Sequence, residues 1–442
     1  MANKIQLITL GCSKNRVDSE HLLRQIFETG ITISPEGENL ATSNVDTVII
    51  NTCGFIKDAK KESIETIFSA VDAKNKGYIK KILVFGCLSQ RYADELRNTI
   101  PEVDGFYGAF DSESVLKAIG NKWIISLNNQ RFLTTPKHYA FLKISEGCDR
   151  VCSYCSIPLI RGQHKSVPEE ALIEEAKYLA GIGVKELILV AQDTTYYGVD
   201  LYKERRLAKL MESIAKVDGI EWLRVHYSYP AAFPDSVLEV MAGNPKICNY
   251  LDIPLQHIND KVLSNMRRSV NGAETRALVQ KFREKVPGIV LRTTMIVGHP
   301  GEDKKAFREL LEFVKEAKFE RLGAFTYSEE EGTWGADNLK DTLRNSVKEE
   351  RYNELMELQS GISLEYNNSR VGTREQVIID SADDGVIVAR SRKESPEVDG
   401  EILIGIDSVP EGFLTNNIIG TFVNVEIEKC DEYDLVGKIL DV

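Results

Sequence analysis

Three cysteines, Cys148, Cys152 and Cys155, lie close together in a C-x3-C-x2-C run. Thiolates are soft ligands that suit iron–sulfur clusters or zinc. A cubane cluster needs four ligands, one for each iron, so three cysteines would leave one iron open to another molecule. Zinc would need a fourth ligand nearby, for which His164 is a candidate, although structural zinc sites usually come as paired C-x2-C clips. The spacing therefore favours a cluster with one open iron.

Three further cysteines, Cys12, Cys53 and Cys87, are distant in sequence, yet each follows a predicted strand and precedes a predicted helix. The strands are predicted at 5–10, 47–50 and 82–85, and the helices from about 18, over 57–73 and to about 98. Such units predict an α/β domain with a parallel sheet, in which ligands bind beyond the carboxyl ends of the strands. A single cysteine there is most often a core thiol, but three predict a second shared site.

The rest of the chain reads as two more units. A polar segment at 126–138 is interpreted as a linker. Six strand candidates alternate with helical patterns and predict a partial (βα)6 barrel, closed by a helix at 341–366, with active residues at its C-terminal face. Four short strands then predict a small all-β barrel. The strands are predicted at 141–145, 186–192, 222–227, 250–255, 290–297 and 321–326, and then at 375–379, 386–389, 401–406 and 422–427. The expected domains are 1–125, 139–369 and 371–442.

Composition narrows the class of protein. With 442 residues, 43% hydrophobic and 28% charged, the chain is expected to be a globular protein of several domains. It shows neither a membrane-length apolar run nor a secretory signal, so we expect a cytoplasmic protein with no membrane partner. Its eight cysteines are then ligands or core thiols rather than disulfides. Cys248 and Cys430 match no motif and are interpreted as ordinary thiols.

The pattern C-x3-C-x-aromatic-C, with Tyr154 before Cys155, follows the first strand of the predicted barrel. In this context it resembles the radical S-adenosylmethionine (SAM) superfamily. The resemblance implies a [4Fe–4S] cluster on the three cysteines, with SAM chelating the open iron through its amino and carboxylate groups. One electron from that cluster cleaves SAM to a 5′-deoxyadenosyl radical. An electron donor such as flavodoxin is implied as a partner.

The N-terminal motifs narrow the resemblance. The stretches 9–15, 51–53 and 86–87 resemble the N-terminal domain of the methylthiotransferases, and 390–400 resembles the signature of the TRAM domain, the family's substrate-binding β-barrel. The resemblance implies a second [4Fe–4S] cluster on Cys12, Cys53 and Cys87, whose open iron carries the sulfur to be transferred. It also implies two SAM molecules per turnover and no catalytic residues beyond the cluster ligands.

The same resemblance suggests which residues contact SAM. It places Ile296 and Gly298 against the adenine, and Gln192 and Asp193 near the methionine or ribose; Tyr154 belongs to the same set. Other interpretations stay open, because 298–302 also reads as a Gly/Pro turn and Asp193 as a helix N-cap. Arg161 is either paired with a carboxylate or an ordinary surface residue.

Two branches of the methylthiotransferases differ in substrate. One acts on an adenosine of transfer RNA, and the other, the RimO type, on an aspartate of the small-subunit ribosomal protein at the decoding centre. The stretches 10–20, 191–198, 225–230 and 252–257 resemble the RimO form, although 163–168 carries less arginine than the family pattern.

The charge of the C-terminal residues favours the branch that acts on a protein over the branch that acts on transfer RNA. The net charge is −12, and residues 374–441 hold six Lys or Arg against sixteen Asp or Glu, a net of −10. Such a module repels RNA and DNA and attracts a basic protein. We therefore expect a ribosomal protein, bound through an acidic TRAM domain, and no DNA. The alternatives are the transfer RNA enzyme and a non-enzymatic iron–sulfur or zinc protein.

Overall fold

The computed structural model describes residues 4–409 and 418–441. Its first part is a five-stranded parallel sheet in the order β2-β1-β3-β4-β5. Because β1, β3 and β4 are neighbours, the residues that follow these strands meet at one edge of the sheet. The elements are β1 Lys4–Thr9, α1 Ser13–Glu28, β2 Thr32–Ser34, β3 Thr47–Thr52, α2 Lys57–Asn75, β4 Lys81–Gly86, α3 Cys87–Thr99, β5 Gly105–Phe106 and α4 Ser112–Ala118.

Helix α1 begins at Ser13, five residues before the start expected near Asp18. Its first turn is polar and therefore resembles a loop in sequence. The turn is nevertheless buried, because Asn15 Nδ2 donates to the carbonyl oxygens of Leu10 and Thr52 at 2.9 and 3.1 Å. The first turn of α1 is thus fastened to the ends of β1 and β3, where ligands are expected.

The second part contains a six-stranded parallel sheet, in the order β13-β12-β11-β10-β9-β6, which stays open and so confirms the predicted partial barrel. A short antiparallel pair, β7–β8, follows its first strand. The strands are β6 Tyr139–Lys143, β7 Ser145–Glu146, β8 Lys165–Ser166, β9 Glu186–Val190, β10 Trp222–Val225, β11 Ile247–Asp252, β12 Val290–Val297 and β13 Arg321–Thr326. The helices are α5 Ile157–Arg161, α6 Glu169–Gly181, α7 Val199–Tyr202, α8 Leu207–Ala215, α9 Asp235–Gly243, α10 Asp260–Asn265, α11 Gly272–Lys285, α12 Lys304–Ala317, α13 Trp334–Asn338 and α14 Asn345–Asn368.

The segment 126–138, interpreted from its polarity as a linker, packs against α1. Phe132 N–H donates to the Glu20 carbonyl oxygen at 3.1 Å, and Thr134 N–H donates to Glu20 Oε1 at 2.8 Å. Arg131 is buried and its Nη1 donates to the Phe141 carbonyl oxygen at 2.5 Å. These contacts fix the N-terminal sheet against the first strand of the barrel.

The third part is a closed five-stranded barrel in the order β14-β15-β16-β18-β17, which confirms the predicted all-β unit. Its strands are β14 Arg374–Asp383, β15 Val386–Ser391, β16 Ile402–Gly405, β17 Phe422–Cys430 and β18 Leu435–Asp441. Strand β18 was not predicted from the sequence; it pairs with both β16 and β17 and closes the barrel. The expected outer domain bounds, residues 1 and 442, lie outside the described residues. No helix in the described part of the chain is long and apolar enough to cross a membrane.

The end of β15 and the segment between β15 and β16 pack against the face of the six-stranded sheet that points away from its helices. Arg390 Nη1 pairs with Glu186 Oε2 at 2.8 Å, and Asp399 Oδ1 with Arg292 Nη1 at 2.7 Å. Ser395 Oγ lies 2.9 Å from His226 Nε2. The side chains of this stretch, which resembles the TRAM signature, therefore hold the small barrel against the larger one.

Arg390→Met is expected to lower the free energy of unfolding by about 3 kcal/mol, since it removes a cation from buried Glu186. This loss of stability is at the low end of the range for a broken buried ion pair, because Arg224 Nε still donates to Glu186 Oε1 at 2.9 Å. Urea unfolding measures it. Arg374→Met, at an exposed position on β14, is the matched control and should change stability little. A loss below about 0.5 kcal/mol for Arg390→Met would contradict the structural role of this ion pair.

Candidate metal centre and active site

The upstream cysteines lie at the predicted edge of the N-terminal sheet. Cys12 directly precedes α1, Cys53 follows β3, and Cys87 is the first residue of α3, directly after β4. Gly11 shows how closely their loops approach. It has φ +89°, and a Cβ there would lie 2.6 Å from Cys53 Cβ and 2.8 Å from its Sγ. Only glycine fits without displacing the cysteine.

The downstream cysteines lie on the loop between β7 and α5, beyond the carboxyl end of the first barrel strand. Backbone hydrogen bonds hold this loop at both ends. Cys148 N–H donates to the Gly162 carbonyl oxygen at 3.1 Å, and Ser153 N–H donates to that of Met266 at 2.9 Å. The Ser153 carbonyl in turn accepts from Gly335 N–H at 2.7 Å. The cysteines are thus presented from a fixed loop at the mouth of the barrel.

Both trios line one cavity of about 550 Å³. Its walls come from the N-terminal sheet on one side and from the carboxyl ends of the barrel strands on the other. The cysteines that line it are Cys12, Cys53, Cys87, Cys148, Cys152 and Cys155. A volume of this size is typical of sites that enclose a small molecule. The arrangement can hold two metal groups facing a shared reaction space.

The thiols fit clusters better than a single ion. Within residues 4–409 and 418–441, no three Cys, His, Asp or Glu side chains are grouped to bind one metal ion. The three sulfur atoms of a cubane site do not have to meet at one ion, because each cysteine binds a different iron. Burial raises the pKa of Cys53 to about 11 and that of Cys148 to about 12, so metal binding must displace their protons.

His164 does not behave as the fourth zinc ligand that the sequence allowed. Its Nε2 lies 3.0 Å from Ser166 Oγ and 3.7 Å from Asp200 Oδ1. The ring therefore belongs to a hydrogen-bonded cluster beside α7. Cys248 is buried between the six-stranded sheet and the small barrel, and Cys430 Sγ lies 3.3 Å from Asn368 Oδ1. Neither of these two thiols lines the cavity.

Arg161 links the two trios. It ends α5, just after the downstream cysteines, and is 4% exposed. Its Nε donates to Cys87 Sγ at 3.2 Å, and its Nη1 pairs with Asp18 and Glu146 at 2.9 and 3.1 Å. Its Nη2 donates to Asn15 Oδ1 at 2.6 Å. Arg161 is therefore paired with carboxylates of the protein and is not a surface residue.

The charged groups that line the cavity are all cations: Lys14, Arg150, Arg161 and Arg268. Arg150 pairs with Asp193 Oδ2 at 2.8 Å, and Arg268 Nη1 lies 3.7 Å from Cys152 Sγ. In the described residues, the lining contains no Asp or Glu. The positive charge of the lining therefore favours the binding of anionic groups, such as thiolate-bound clusters and carboxylates.

Two of the residues predicted to contact SAM, Tyr154 and Gln192, line the cavity. Gln192 Nε2 donates to Glu146 Oε1 at 2.7 Å, whereas its Oε1 is buried without a partner. The Tyr154 ring meets His299 edge-on, with 6.2 Å between ring centres. An unsatisfied amide oxygen at the wall is free to accept a hydrogen bond from a ligand.

The other three residues that were predicted to contact SAM do not line the cavity but lie behind its lining residues. Asp193 accepts from Arg150 Nε and from Thr195 Oγ1, and its side chain does not cap the short 3₁₀ turn that follows. Ile296 packs in a buried cluster beside α10. Gly298 has φ +78°, and a Cβ there would meet Lys348 Cγ at 2.5 Å. The Gly298 position therefore requires glycine for its turn and its packing.

Many residues of the lining were assigned no role from the sequence, among them Lys14, Tyr227, Gln256 and Arg268. Tyr227 and Gln256 follow β10 and β11 and have φ of +59° and +75°. Such backbone is costly for residues other than glycine and clusters at functional sites. Lys14 lies within the motif around Cys12 and could have been suspected, but nothing in the sequence marks Arg268.

Three family profiles match successive parts of the chain. The Radical SAM superfamily matches residues 142–314, the uncharacterized protein family UPF0004 matches 4–108, and the TRAM domain matches 371–440.

Relatives match over almost the whole length. The chain is 49% identical over 436 residues to "Ribosomal protein uS12 methylthiotransferase RimO" of Bacteroides fragilis, covering 99% of each chain. It is 48% identical over 439 residues to the protein of the same name from Porphyromonas gingivalis, again covering 99% of each. The protein of that name from Flavobacterium johnsoniae is 50% identical over 436 residues, which cover 99% of this chain and 98% of that one.

Solved structures share the fold at low identity. The radical SAM methyltransferase TsrM from Kitasatospora setae aligns with a TM-score of 0.52 and 12% identity over 74% of this chain and 75% of that one. The cobalamin-dependent radical SAM enzyme OxsB aligns with a TM-score of 0.51 and 11% identity, over 81% of this chain and 56% of that one. At these identities the likeness concerns the fold alone.

Proposed function

Because this chain belongs to the RimO family of radical SAM methylthiotransferases, we propose that it modifies uS12, the small-subunit ribosomal protein at the decoding centre. The proposed reaction replaces a hydrogen on the β-carbon of one aspartate with a methylthio group. It uses two [4Fe–4S] clusters and two SAM molecules per turnover. The proposed setting is the cytoplasm, where thiols stay reduced, with a donor such as flavodoxin supplying the electron.

One observation carries the proposal: two cysteine trios from different parts of the chain line the same cavity. One trio alone would suit a radical enzyme that needs no second metal group. A group-transfer reaction needs the site that activates the substrate carbon and the site that holds the incoming sulfur to lie within reach of that carbon. A shared cavity between the sheet edge and the barrel mouth meets this requirement.

The chain's own residues divide into two sets. Cys148, Cys152 and Cys155 would hold the cluster that binds SAM, and Cys12, Cys53 and Cys87 the second cluster. When bound, these groups supply one-electron cleavage of SAM and a transferable sulfur, chemistry that acid–base side chains cannot perform on an unactivated C–H bond. The residues proposed to orient SAM are Tyr154, Gln192, Asp193, Ile296 and Gly298.

The relatives' printed name supports a protein substrate, and the charge of the small barrel supports it in part. Some of its acidic residues are engaged in the interface with the larger barrel; Glu394, for example, pairs with Arg321 and Arg370. The exposed acids among its described residues still outnumber the exposed bases, seven to three. The acids are Asp383, Asp384, Glu397, Glu401, Asp407, Glu428 and Asp431, against Arg374, Lys429 and Lys438. This surface is proposed to attract basic uS12.

Neutralising part of that surface should slow the encounter with uS12. The double variant Asp383→Asn and Asp384→Asn is expected to reduce the association rate about twofold to tenfold at low salt, and the difference should shrink as salt screens the charges. Stopped-flow binding of uS12 to the full chain measures it. Asn424→Gln, an exposed uncharged change on β17, is the matched control.

The same binding experiment, repeated with transfer RNA, separates the two substrate classes. Tight, salt-sensitive binding of transfer RNA in preference to uS12 would overturn the protein substrate and favour the RNA branch.

Metal analysis after anaerobic reconstitution tests the cofactors, since two cubanes require about eight irons per chain. Zinc in their place would remove the radical mechanism.

A further inference from the structure

Lys14 is a buried lysine on the wall of the cavity. It lies in the first turn of α1, two residues after Cys12, and is 8% exposed. Its Nζ lies 3.2 Å from the centre of the Tyr227 ring, which belongs to the barrel mouth. The ammonium group therefore reaches from the first turn of α1 to the barrel mouth, on the wall of the cavity that both trios line.

Lys14 forms no close ion pair with any of the described residues. Arg150 is paired with Asp193, and Arg161 with Asp18 and Glu146. The carboxylate of Asp252 acts on the Lys14 charge only from beyond ion-pair distance. A contact with an aromatic face compensates only part of the cost of taking an ammonium ion out of water. An anionic ligand in the cavity would supply the missing partner.

The proposed substrate brings such an anion to this position. The β-carbon of an aspartate is bonded directly to its carboxylate, so the carboxylate must enter the cavity together with the reacting carbon. Arg268, the other lining cation without a carboxylate, lies on the radical side, 3.7 Å from Cys152 Sγ. Lys14 lies on the other side, next to Cys12.

We propose that Lys14 binds the side-chain carboxylate of the substrate aspartate and so selects aspartate over uncharged side chains. This inference rests on the proposed function, because it takes the substrate from it. A charge-assisted hydrogen bond in a site shielded from water both attracts the carboxylate and fixes the rotation of the side chain. The lysine thus presents the β-carbon between the two trios.

The surroundings of Lys14 are held in place before any substrate arrives. Tyr227 has φ +59°, and its N–H donates to Asp252 Oδ2 at 3.0 Å. Arg292 lies within 4.0 Å of Asp252 and pairs with Asp399 of the small barrel at 2.7 Å. This chain of contacts fixes the ring against which the lysine packs, so little ordering is left for the binding step.

The test compares a basic peptide carrying the target aspartate with the same peptide carrying asparagine, using the reconstituted full chain under anaerobic conditions. In wild type, the aspartate peptide should bind about 10- to 100-fold more tightly than the asparagine peptide. Lys14→Met should reduce this ratio to near one, and Lys14→Arg should restore part of it. Lys61→Met, an exposed lysine on α2, should leave the ratio at the wild-type value.

Iron content, measured in every variant, shows whether the clusters assemble. A Lys14→Met chain that keeps about eight irons and still prefers the aspartate peptide would overturn the inference. The inference would also be overturned if that variant kept the preference but no longer bound sulfide at the second cluster, since Lys14 would then serve the sulfur anion. Failure of the wild type to modify the aspartate peptide at all would refute the proposed function instead.

Discussion

Cys152→Ala is expected to abolish the cleavage of SAM, with a fall in 5′-deoxyadenosine formation of more than about a thousandfold. Cys152 is one of the three thiols that line the cavity at the barrel mouth in the described part of the chain, and two thiols cannot hold a cubane with a single open iron. Arg268, 3.7 Å from Cys152 Sγ, would lose its contact with the sulfur as well. Chromatographic detection of 5′-deoxyadenosine, with SAM and a reductant, measures the effect.

Iron analysis of the same variant makes this prediction specific. The iron content should fall from about eight to about four per chain, because the upstream trio is untouched. Cys430→Ala is the matched control, since Cys430 lies on β17 and does not line the cavity. Full SAM cleavage by Cys152→Ala would show that the C-x3-C-x2-C run is not the radical site.

Cys53→Ala is expected to separate the two halves of the reaction. The downstream trio is intact, so SAM cleavage should continue, whereas methylthio transfer to uS12 should fall below detection, by more than about a hundredfold. Cys53 lines the cavity, and its side chain packs against Gly11, next to Cys12. Replacing it with alanine therefore removes one of the three thiols of the upstream site. Parallel measurement of 5′-deoxyadenosine and of modified uS12 gives the two rates.

Two results of the Cys53→Ala experiment would contradict the proposed roles of the two trios. If Cys53→Ala still produced methylthiolated uS12, the upstream trio would not supply the sulfur and the division of labour would be wrong. Loss of both activities would also contradict it, provided that circular dichroism shows an unchanged fold. Cys248→Ala is the matched control here: it removes a buried thiol between the six-stranded sheet and the small barrel, outside the cavity.

Much of the architecture can be predicted from local patterns. Apolar runs identify the buried parallel strands β3, β4 and β9. The bounds of β12 and β13 also match the prediction, 290–297 and 321–326, although these two strands contain polar residues. The position of each upstream cysteine after a strand is also a local signal. Their meeting at one edge follows from the neighbouring order of β1, β3 and β4. The polarity of α1's first turn concealed its true start, because what buries it are long-range contacts to β1 and β3.

The remainder of the site could not be predicted, because it depends on how distant elements pack. Arg161 reaches Cys87 across 74 residues of sequence, and Lys14 meets Tyr227 only when the sheet edge faces the barrel mouth. The net charge of the C-terminal module likewise does not show which of its acids are exposed, since Glu394 and Asp399 face the larger barrel. Charge composition predicts a preference for partners but not which charges remain exposed.

Mass spectrometry of uS12 tests the central claim most directly. The chain is reconstituted anaerobically with iron and sulfide and incubated with SAM, a reductant and purified uS12, and the protein is then digested. We predict a single methylthio group on one aspartate, formed together with 5′-deoxyadenosine. Unmodified uS12, from a chain that holds about eight irons and cleaves SAM, would contradict it.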